Sequence, residues 1–406
     1  MSEAFPRVVV TGLGAVTPVG GTTAETWSAL LSGRSGIVAL EDDWAQELPV
    51  RMAGRVTVDV ASLLSTPEVK RMDRCGQLAL IAAREAWAQA GHPDSDPERL
   101  AVVIGSGYGG LDTTLGQART LDASGPRRVS PHTLTRIMAN APSAWVSMEV
   151  GAKGGARTPV SACASGAEAI SQGADMIRAG AADVVITGGV DSCINGLIIS
   201  GFAQIRALST RNEDPQSASR PFDRDRDGFV LAEGAAVLVL EREDHALARG
   251  AEILGVVAGT AVTSDAVDIV AADPVMQRRV MEKALAAAGL GAADIGLVHA
   301  HATSTPVGDR LEADAITAVL GNQAPVTSTK SLTGHLLGGA GALGAVVLIQ
   351  ALRTGNFPGT RNLTAPGDGM DLNLISETVS GLSATAGIAN AFGFGGHSAA
   401  LVLTKS

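Results

Sequence analysis

Aromatic side chains are scarce in this 406-residue chain: one Tyr, four Trp and seven Phe, 3% of the residues. A core without rings must be filled by Ala, Gly, Val and Leu, which suits closely packed layers of helix and sheet. Positive charge is also in deficit. Lys and Arg total 31 against 41 Asp and Glu, a net charge of −10. That excludes the broad basic field of a general nucleic-acid binder, though not a small basic patch. Cysteine is limited to three residues, an odd number that fits free thiols in a reducing compartment rather than a disulfide framework. The opening MSEAFPRVVV has no basic segment followed by an apolar one, so no signal peptide is expected. The longest nearly apolar run, Leu336–Leu352, is 17 residues long and contains Gln350. It is at the short limit of a membrane span and reads better as a buried core helix. The expectation is a soluble, cytoplasmic protein with no membrane or nucleic-acid partner.

What is present is apolar and glycine-rich: 46% hydrophobic residues and 49 Gly, without the G-x-y period of collagen. Short apolar, β-branched runs predict strands at Arg7–Thr11, Leu100–Ile104, Asp183–Thr187, Ala235–Leu240, Ile295–Ala300, Pro325–Thr327 and Ala399–Leu403. Helical spacing predicts helices over Thr23–Ser32, Gln77–Gln89, Ser165–Ala179, Pro274–Ala288, Arg310–Leu320 and His335–Leu352. Strand–helix alternation of this kind defines the α/β class. A boundary near residue 250 would leave a half on each side, 1–250 and 251–406, although no sequence repeat relates them. Asn212–Gly228 reads as a long loop, and such loops are more often functional than idle.

Within TPVSACASGAEAISQGADMIRAG (158–180), Thr158–Ala162 reads as a short strand. Ala167, Ile170, Ala174 and Ile177 then fall on one helix face. Cys163 therefore sits where a strand turns into a helix, and the positive end of the helix dipole would stabilise its thiolate. The bland alternative is a small buried residue, the fate of most free cysteines. Cys75, on the polar edge of a helix, and Cys193, in a Gly-rich turn, are assigned structural roles. Of seven histidines, His92 and His245 lie in surface contexts, and His132 follows a proline in a loop. His299, His301, His335 and His397 lie among small residues at the ends of apolar runs. The strand Ile295–Ala300 ends in a Thr/Ser-rich turn, where ligands meet α/β sheets. His335 opens the apolar helix five residues after Lys330, a setting that favours a neutral imidazole able to donate to an enolate or oxyanion. His299 and His301 could instead be a metal pair, but a third ligand such as His335 or Asp309 would be needed. Gly105, Gly107 and Gly110 form a G-x-G-x-x-G after a strand, but no strand ending in an acidic residue follows, so they read as a turn near the pocket.

Five motifs in one order carry a resemblance: VSACASGAEAI at Cys163, STRNEDPQSASRPFDRDRDGFVLAEGA in the long loop, HAHATSTPVGD at His301, STKSLTGHLLGGAGA with Lys330 and His335, and NAFGFGGHSAALVL near the C-terminus. Over essentially the whole chain the sequence resembles the elongating type II β-ketoacyl-[acyl-carrier-protein] synthases. That resemblance implies a thiolase-like, duplicated five-layer αβαβα sandwich and a homodimer. It implies a decarboxylative Claisen condensation of an acyl thioester with malonyl-[acyl-carrier protein], giving 3-oxoacyl-[acyl-carrier protein], in fatty-acid elongation or a related polyketide pathway. It further implies Cys163 as acyl carrier and His301 and His335 as enolate stabilisers. The backbone N–H groups of Cys163 and Phe394 would form the oxyanion hole, Lys330 and Glu312 a supporting ion pair, and Phe394 a gate. Thr303, Thr305 and Asp265 match pantetheine-arm positions, and Tyr108 an acyl-pocket position. Lys70, Arg71, Arg127, Arg128 and Arg206 match the docking positions for an acidic acyl carrier protein. No metal or other cofactor is implied beyond the carrier's phosphopantetheine.

The sequence departs from that pattern at His299, where Asn is usual, at Ala302 for Gly, at Val270 for Thr within Ser264–Ala271, and at Tyr108 for an aliphatic residue or Gly. A Tyr108 ring in the pocket would bias the enzyme toward short or unusual chains; a ring turned outward would not. Three other assignments compete, the most distant an NAD enzyme using the Gly105 turn. A non-catalytic chain-length-factor-like partner subunit would lack the nucleophile, and a thiolase would carry a second Cys near the C-terminal Gly-rich motif.

Overall fold

The structure is a computed structural model that describes residues 5–270 and 273–406. The first four residues of the opening stretch, and Ala271 of Ser264–Ala271, lie outside the described residues. The β-branched run after Pro6 forms β1 (Val8–Val16), every residue of it buried. A small hairpin, β2 (Ile37–Ala39) with β3 (Met52–Gly54), stands apart from the main sheet. The main strands follow: β4 (Leu100–Gly105), β5 (Ala156–Arg157), β6 (Val184–Asp191), β7 (Gly234–Arg242), β8 (Gly255–Ser264), β9 (Leu297–His299), β10 (Val326–Thr327), β11 (Ala386–Gly393) and β12 (His397–Thr404).

Their order shows a duplication that the sequence hides. The first five run β1-β7-β6-β4-β5 and the second five β8-β12-β11-β9-β10. In each set the first two pairings are antiparallel and the last two parallel. The sets join edge to edge where β1 meets β8, with Val9 opposite Val256 and Val10 opposite Gly255. The helix Arg74–Gln89 covers β1 and β7 on one outer face, and Pro274–Ala288 covers β8 and β12 on the other. Ser165–Arg178 and Ala340–Thr354 pack against each other between the two sets. The result is the five-layer α/β architecture.

Glycine makes these layers touch. A Cβ at Gly14 would lie 1.9 Å from the carbonyl oxygen of Ala82, so β1 and its covering helix meet backbone to backbone. In the central layer a Cβ at Gly166 would lie 2.6 Å from the Gly338 carbonyl oxygen, and one at Gly341 would lie 2.9 Å from Ala167 Cβ. Layers this close have little room for rings, which accounts for the aromatic poverty. Leu337–Thr354 is long and apolar enough to cross a membrane, but 83% of it is buried inside the protein, so it is a core helix.

All but one of the predicted strands and helices are found, most with shifted ends. β8 and β11 were not anticipated, because their alternation of Gly, Ala and Thr is weakly apolar. The strand expected at Thr158–Ala162 is not formed; a two-residue strand, Ala156–Arg157, precedes it, and Ala162 begins a tight turn. The apolar helix begins at Ala340, not at His335, and a tight turn over Leu337–Gly339 precedes it. Cys75 is 1% exposed rather than at a polar helix edge.

Candidate active site

Cys163 lies in a single tight turn, Ala162–Ala164, that feeds the helix Ser165–Arg178. Ala162 holds φ = 50°, an unusual conformation for a residue with a Cβ. The turn is braced by Ser165 Oγ, which donates to the Ala162 carbonyl at 2.7 Å and accepts the Ser161 N–H at 3.0 Å. β11 closes over it: a Cβ at Gly393 would lie 2.4 Å from the Ser161 carbonyl oxygen and 3.1 Å from the Cys163 nitrogen. This close approach places the Phe394 N–H beside the thiol, together with the N–H of Cys163 itself. The expected thiolate stabilisation is outweighed at rest. Burial, followed by the nearby Asp191 carboxylate, pushes the thiol up to about 12, against the opposing pull of Lys330 and the two N–H groups.

His301 follows the end of β9, and its ring meets that of His335 edge to face, with centroids 5.4 Å apart. Phe392 and Phe229 flank the pair at 5.7 and 5.4 Å. His335 is fixed by its backbone, donating to the Val230 carbonyl (2.8 Å) and accepting from the Ala232 N–H (3.0 Å). Both imidazoles are held well below their usual pKa, first by burial and then by Lys330. The neutral state expected for His335 therefore arises from burial rather than from a helix N-terminus. Lys330 is 5% exposed, and burial lowers it to about 8, while Glu312, Cys163 and Asp309 pull it upward. The expected Lys330–Glu312 ion pair is not a direct contact: none joins them within 4.0 Å among the described residues, and they act through space. Glu312 instead accepts the backbone N–H groups of His301 (2.8 Å) and Ala302 (2.6 Å) and the side-chain amide of Asn390 (3.1 Å). It fixes the His301 turn from beneath, and burial raises it to about 7.

The next turn is organised by a residue considered from sequence only as a possible third metal ligand. Asp309, fully buried, accepts the N–H groups of Phe222, Thr303, Ser304 and Thr305. It holds Ser304 at φ = 73° and the hydroxyls of Thr303 and Thr305 3.2 Å apart. An acidic residue in the first turn of a helix, here Gly308–Leu320, was the available signal. The long loop buttresses the same turns. Its Ser219 hydroxyl donates to the Lys330 carbonyl at 2.7 Å, its Arg220 N–H donates to Ser304 Oγ at 3.0 Å, and its buried Asp223 gathers Arg220, Asp225, Thr364 and Ala365. Those N–H and guanidinium donors hold the Asp223 carboxyl below its ordinary value.

These groups surround a cavity of about 450 Å³ whose walls include Cys163, His301, His335, Glu312, Thr303, Thr305, Phe394, Val270 and Arg206. Phe394, 37% exposed, leans on Phe202 with ring centroids 6.2 Å apart. Tyr108 and Asp265 are not on the walls. Tyr108 is 38% exposed, and the backbone of its loop is held by Asp191, which accepts the N–H groups of Gly107 and Tyr108. Asp265 shapes the neighbouring loop, accepting from the Val267 N–H (3.1 Å) and the Asp273 N–H (3.2 Å). Lys70, Arg71, Arg127 and Arg128 are exposed, as is Arg206 at the cavity wall. His299 is buried beneath the His301 turn, and no group of three or more His, Cys, Asp and Glu suited to a metal ion occurs among the described residues.

Comparison with known proteins agrees with this geometry. Residues 6–246 match the family model described as beta-ketoacyl synthase, N-terminal domain, and residues 254–364 match the corresponding C-terminal domain. The chain is 42% identical to a 3-oxoacyl-[acyl-carrier-protein] synthase 2 of Mycobacterium tuberculosis, covering 99% of this chain and 98% of that protein. It is 41% identical to the protein of the same name from Synechocystis, covering 98% of each. Among solved structures it is similar to a beta-ketoacyl synthase from Burkholderia phymatum, with TM-score 0.93, 32% identity, and 99% and 100% of the two chains covered. It is also similar to a type II polyketide ketosynthase in complex with its acyl-carrier protein, with TM-score 0.90, 29% identity, and 99% and 100% covered.

Proposed function

The chain belongs to the β-ketoacyl synthase family, and from that premise we propose that it condenses a Cys163-bound acyl chain with malonyl-[acyl-carrier protein], in fatty-acid or related polyketide elongation. The observation that carries this reading is one wall of the cavity, where a thiol beside two backbone N–H groups faces two neutral imidazoles.

The chemistry follows from those groups. Cys163 Sγ attacks the acyl thioester, its proton passes to the departing pantetheine thiol, and a new thioester forms on the protein. In the second half-reaction the malonyl thioester loses carbon dioxide, and the electron pair of the broken C–C bond is delocalised onto the thioester oxygen. His301 and His335, neutral and able to donate, stabilise that enolate. The enolate carbon attacks the acyl-Cys163 carbonyl, whose oxygen takes up negative charge between the N–H groups of Cys163 and Phe394. Collapse expels the Cys163 thiolate and leaves a 3-oxoacyl thioester on the carrier. The same two N–H groups that oppose the thiol's high pKa at rest thus serve the oxyanion in turnover. The Lys330 charge adds to burial in keeping the imidazoles unprotonated, and the Thr303–Thr305 turn would hold the pantetheine arm.

Two assembly features belong to this reading. The exposed cations Lys70, Arg71, Arg127, Arg128 and Arg206 suit an acidic carrier protein. A homodimer would cover the outer edge of β5, both residues of which are exposed, and the exposed Leu134, Met148 and Val160 nearby in sequence. Residues 1–250 would supply the nucleophile and 251–406 the histidines, in a cytoplasmic enzyme needing no metal. The reading is tested by decarboxylation of malonyl-carrier protein, with release of carbon dioxide that His301→Ala or His335→Ala reduces by a hundredfold or more.

A further inference from the structure

We infer that His299 is a positioning residue for decarboxylation, fixing the turn that carries Lys330 against the turn that carries His301; this rests on the function proposed above. Its ring is 2% exposed, and Nε2 lies 3.0 Å from Thr329 Oγ1, the hydroxyl of the residue before Lys330. Nδ1 has no partner. It faces the central helix where Gly344 leaves room, since a Cβ there would lie 2.8 Å from Nδ1. A proton on Nε2 then makes the ring a donor to Thr329 and leaves only a lone pair against the glycine. Burial and the Lys330 charge keep the ring neutral, with its pKa lowered to about 3.

The position of the contact gives it consequence. His299 ends β9, opposite Thr327 of β10, and His301 lies two residues further on. A second tie, from Ser328 Oγ to the Ala302 carbonyl at 2.8 Å, runs between the same two segments. The short helix Lys330–Thr333 then leads directly to His335. With the strand-pair bond from the Ala300 N–H to the Thr327 carbonyl (2.8 Å), the two side-chain ties hold the Lys330 turn against the His301 turn, and the Lys330 charge acts on His299, His301 and His335 and also on Cys163. Cys163 and its N–H pair are held by other contacts, through Ser165 and Gly393. Loss of the His299 tie should consequently impair decarboxylation, which uses both imidazoles, more than acyl loading.

The test measures two half-reactions separately: acyl loading of Cys163 by intact mass, and carbon dioxide release from malonyl-carrier protein. Thr329→Val removes the tie with little change of shape, His299→Leu removes it from the other side, and His299→Gln restores a donor near Nε2. The expected result is a fall of about tenfold in kcat for decarboxylation in Thr329→Val and His299→Leu. KM and loading should stay within twofold, and most of the rate should return in His299→Gln. Unchanged decarboxylation in Thr329→Val, or a parallel loss of loading and decarboxylation, would overturn the inference. A wild-type protein that releases no carbon dioxide would overturn the functional reading beneath it.

Discussion

Cys163 and Lys330 show how burial and function oppose each other at single residues. With the thiol near 12, its thiolate is a minor species at neutral pH. Alkylation of Cys163 by iodoacetamide should therefore rise about tenfold per pH unit from pH 6 to 9 without levelling; a plateau near neutrality would show a depressed pKa instead. Lys330, lowered to about 8 from 10.5, binds fewer protons folded than unfolded between those values, so its contribution makes stability rise with pH across that window. Below it, holding the buried charge costs the fold roughly 3 kcal/mol. Lys330→Met should accordingly raise the thermal midpoint at pH 7 by a few degrees while reducing decarboxylation at least tenfold. A lower midpoint would show that the field of Glu312 more than offsets the desolvation. Cys163, His301 and His335 were singled out in the sequence by the five ordered motifs, since the local setting of small residues at the end of an apolar run is shared by His299 and His397. Asp309, Asn390 and Thr329 were not, since what distinguishes them is which backbone or side-chain groups they meet across the fold.

At the scale of elements, glycine contacts set the spacing of the layers. Gly166→Val would drive a side chain into the Gly338 carbonyl, which its Cβ alone would approach to 2.6 Å. The expected cost is about 3 kcal/mol in denaturant unfolding, and a loss under 1 kcal/mol would mean that the central helices can separate freely. The helices around this layer were readable because their apolar faces repeat at the helical period. β8 and β11 were not, because Gly, Ala and Thr in a strand give little alternation. The start of the last core helix was misplaced for a related reason: apolar residues continue through the turn Leu337–Gly339, so composition does not mark where the backbone changes.

Across the whole molecule, the matching strand orders show two copies of one topology whose sequences no longer visibly repeat. What persists is which strands pair and in which direction, information that hydrogen-bond partners carry and composition does not. The joint reaction depends on that pairing, because the thiol comes from one copy and both imidazoles from the other. The proposed carrier-protein docking would be electrostatic at this scale. Reversing Arg127 and Arg128 to Glu should weaken carrier-protein binding at least tenfold at low salt and by less at high salt; unchanged affinity at low salt would remove them from the docking surface.

The central claim, that Cys163 carries the acyl chain, is tested most directly by intact-mass analysis after mixing the protein with acyl-carrier proteins of graded chain length, alongside Cys163→Ala. The account expects an acyl adduct on the wild-type protein at one or more chain lengths and none on the variant. An adduct that persists in Cys163→Ala, or no adduct at any length, would contradict it.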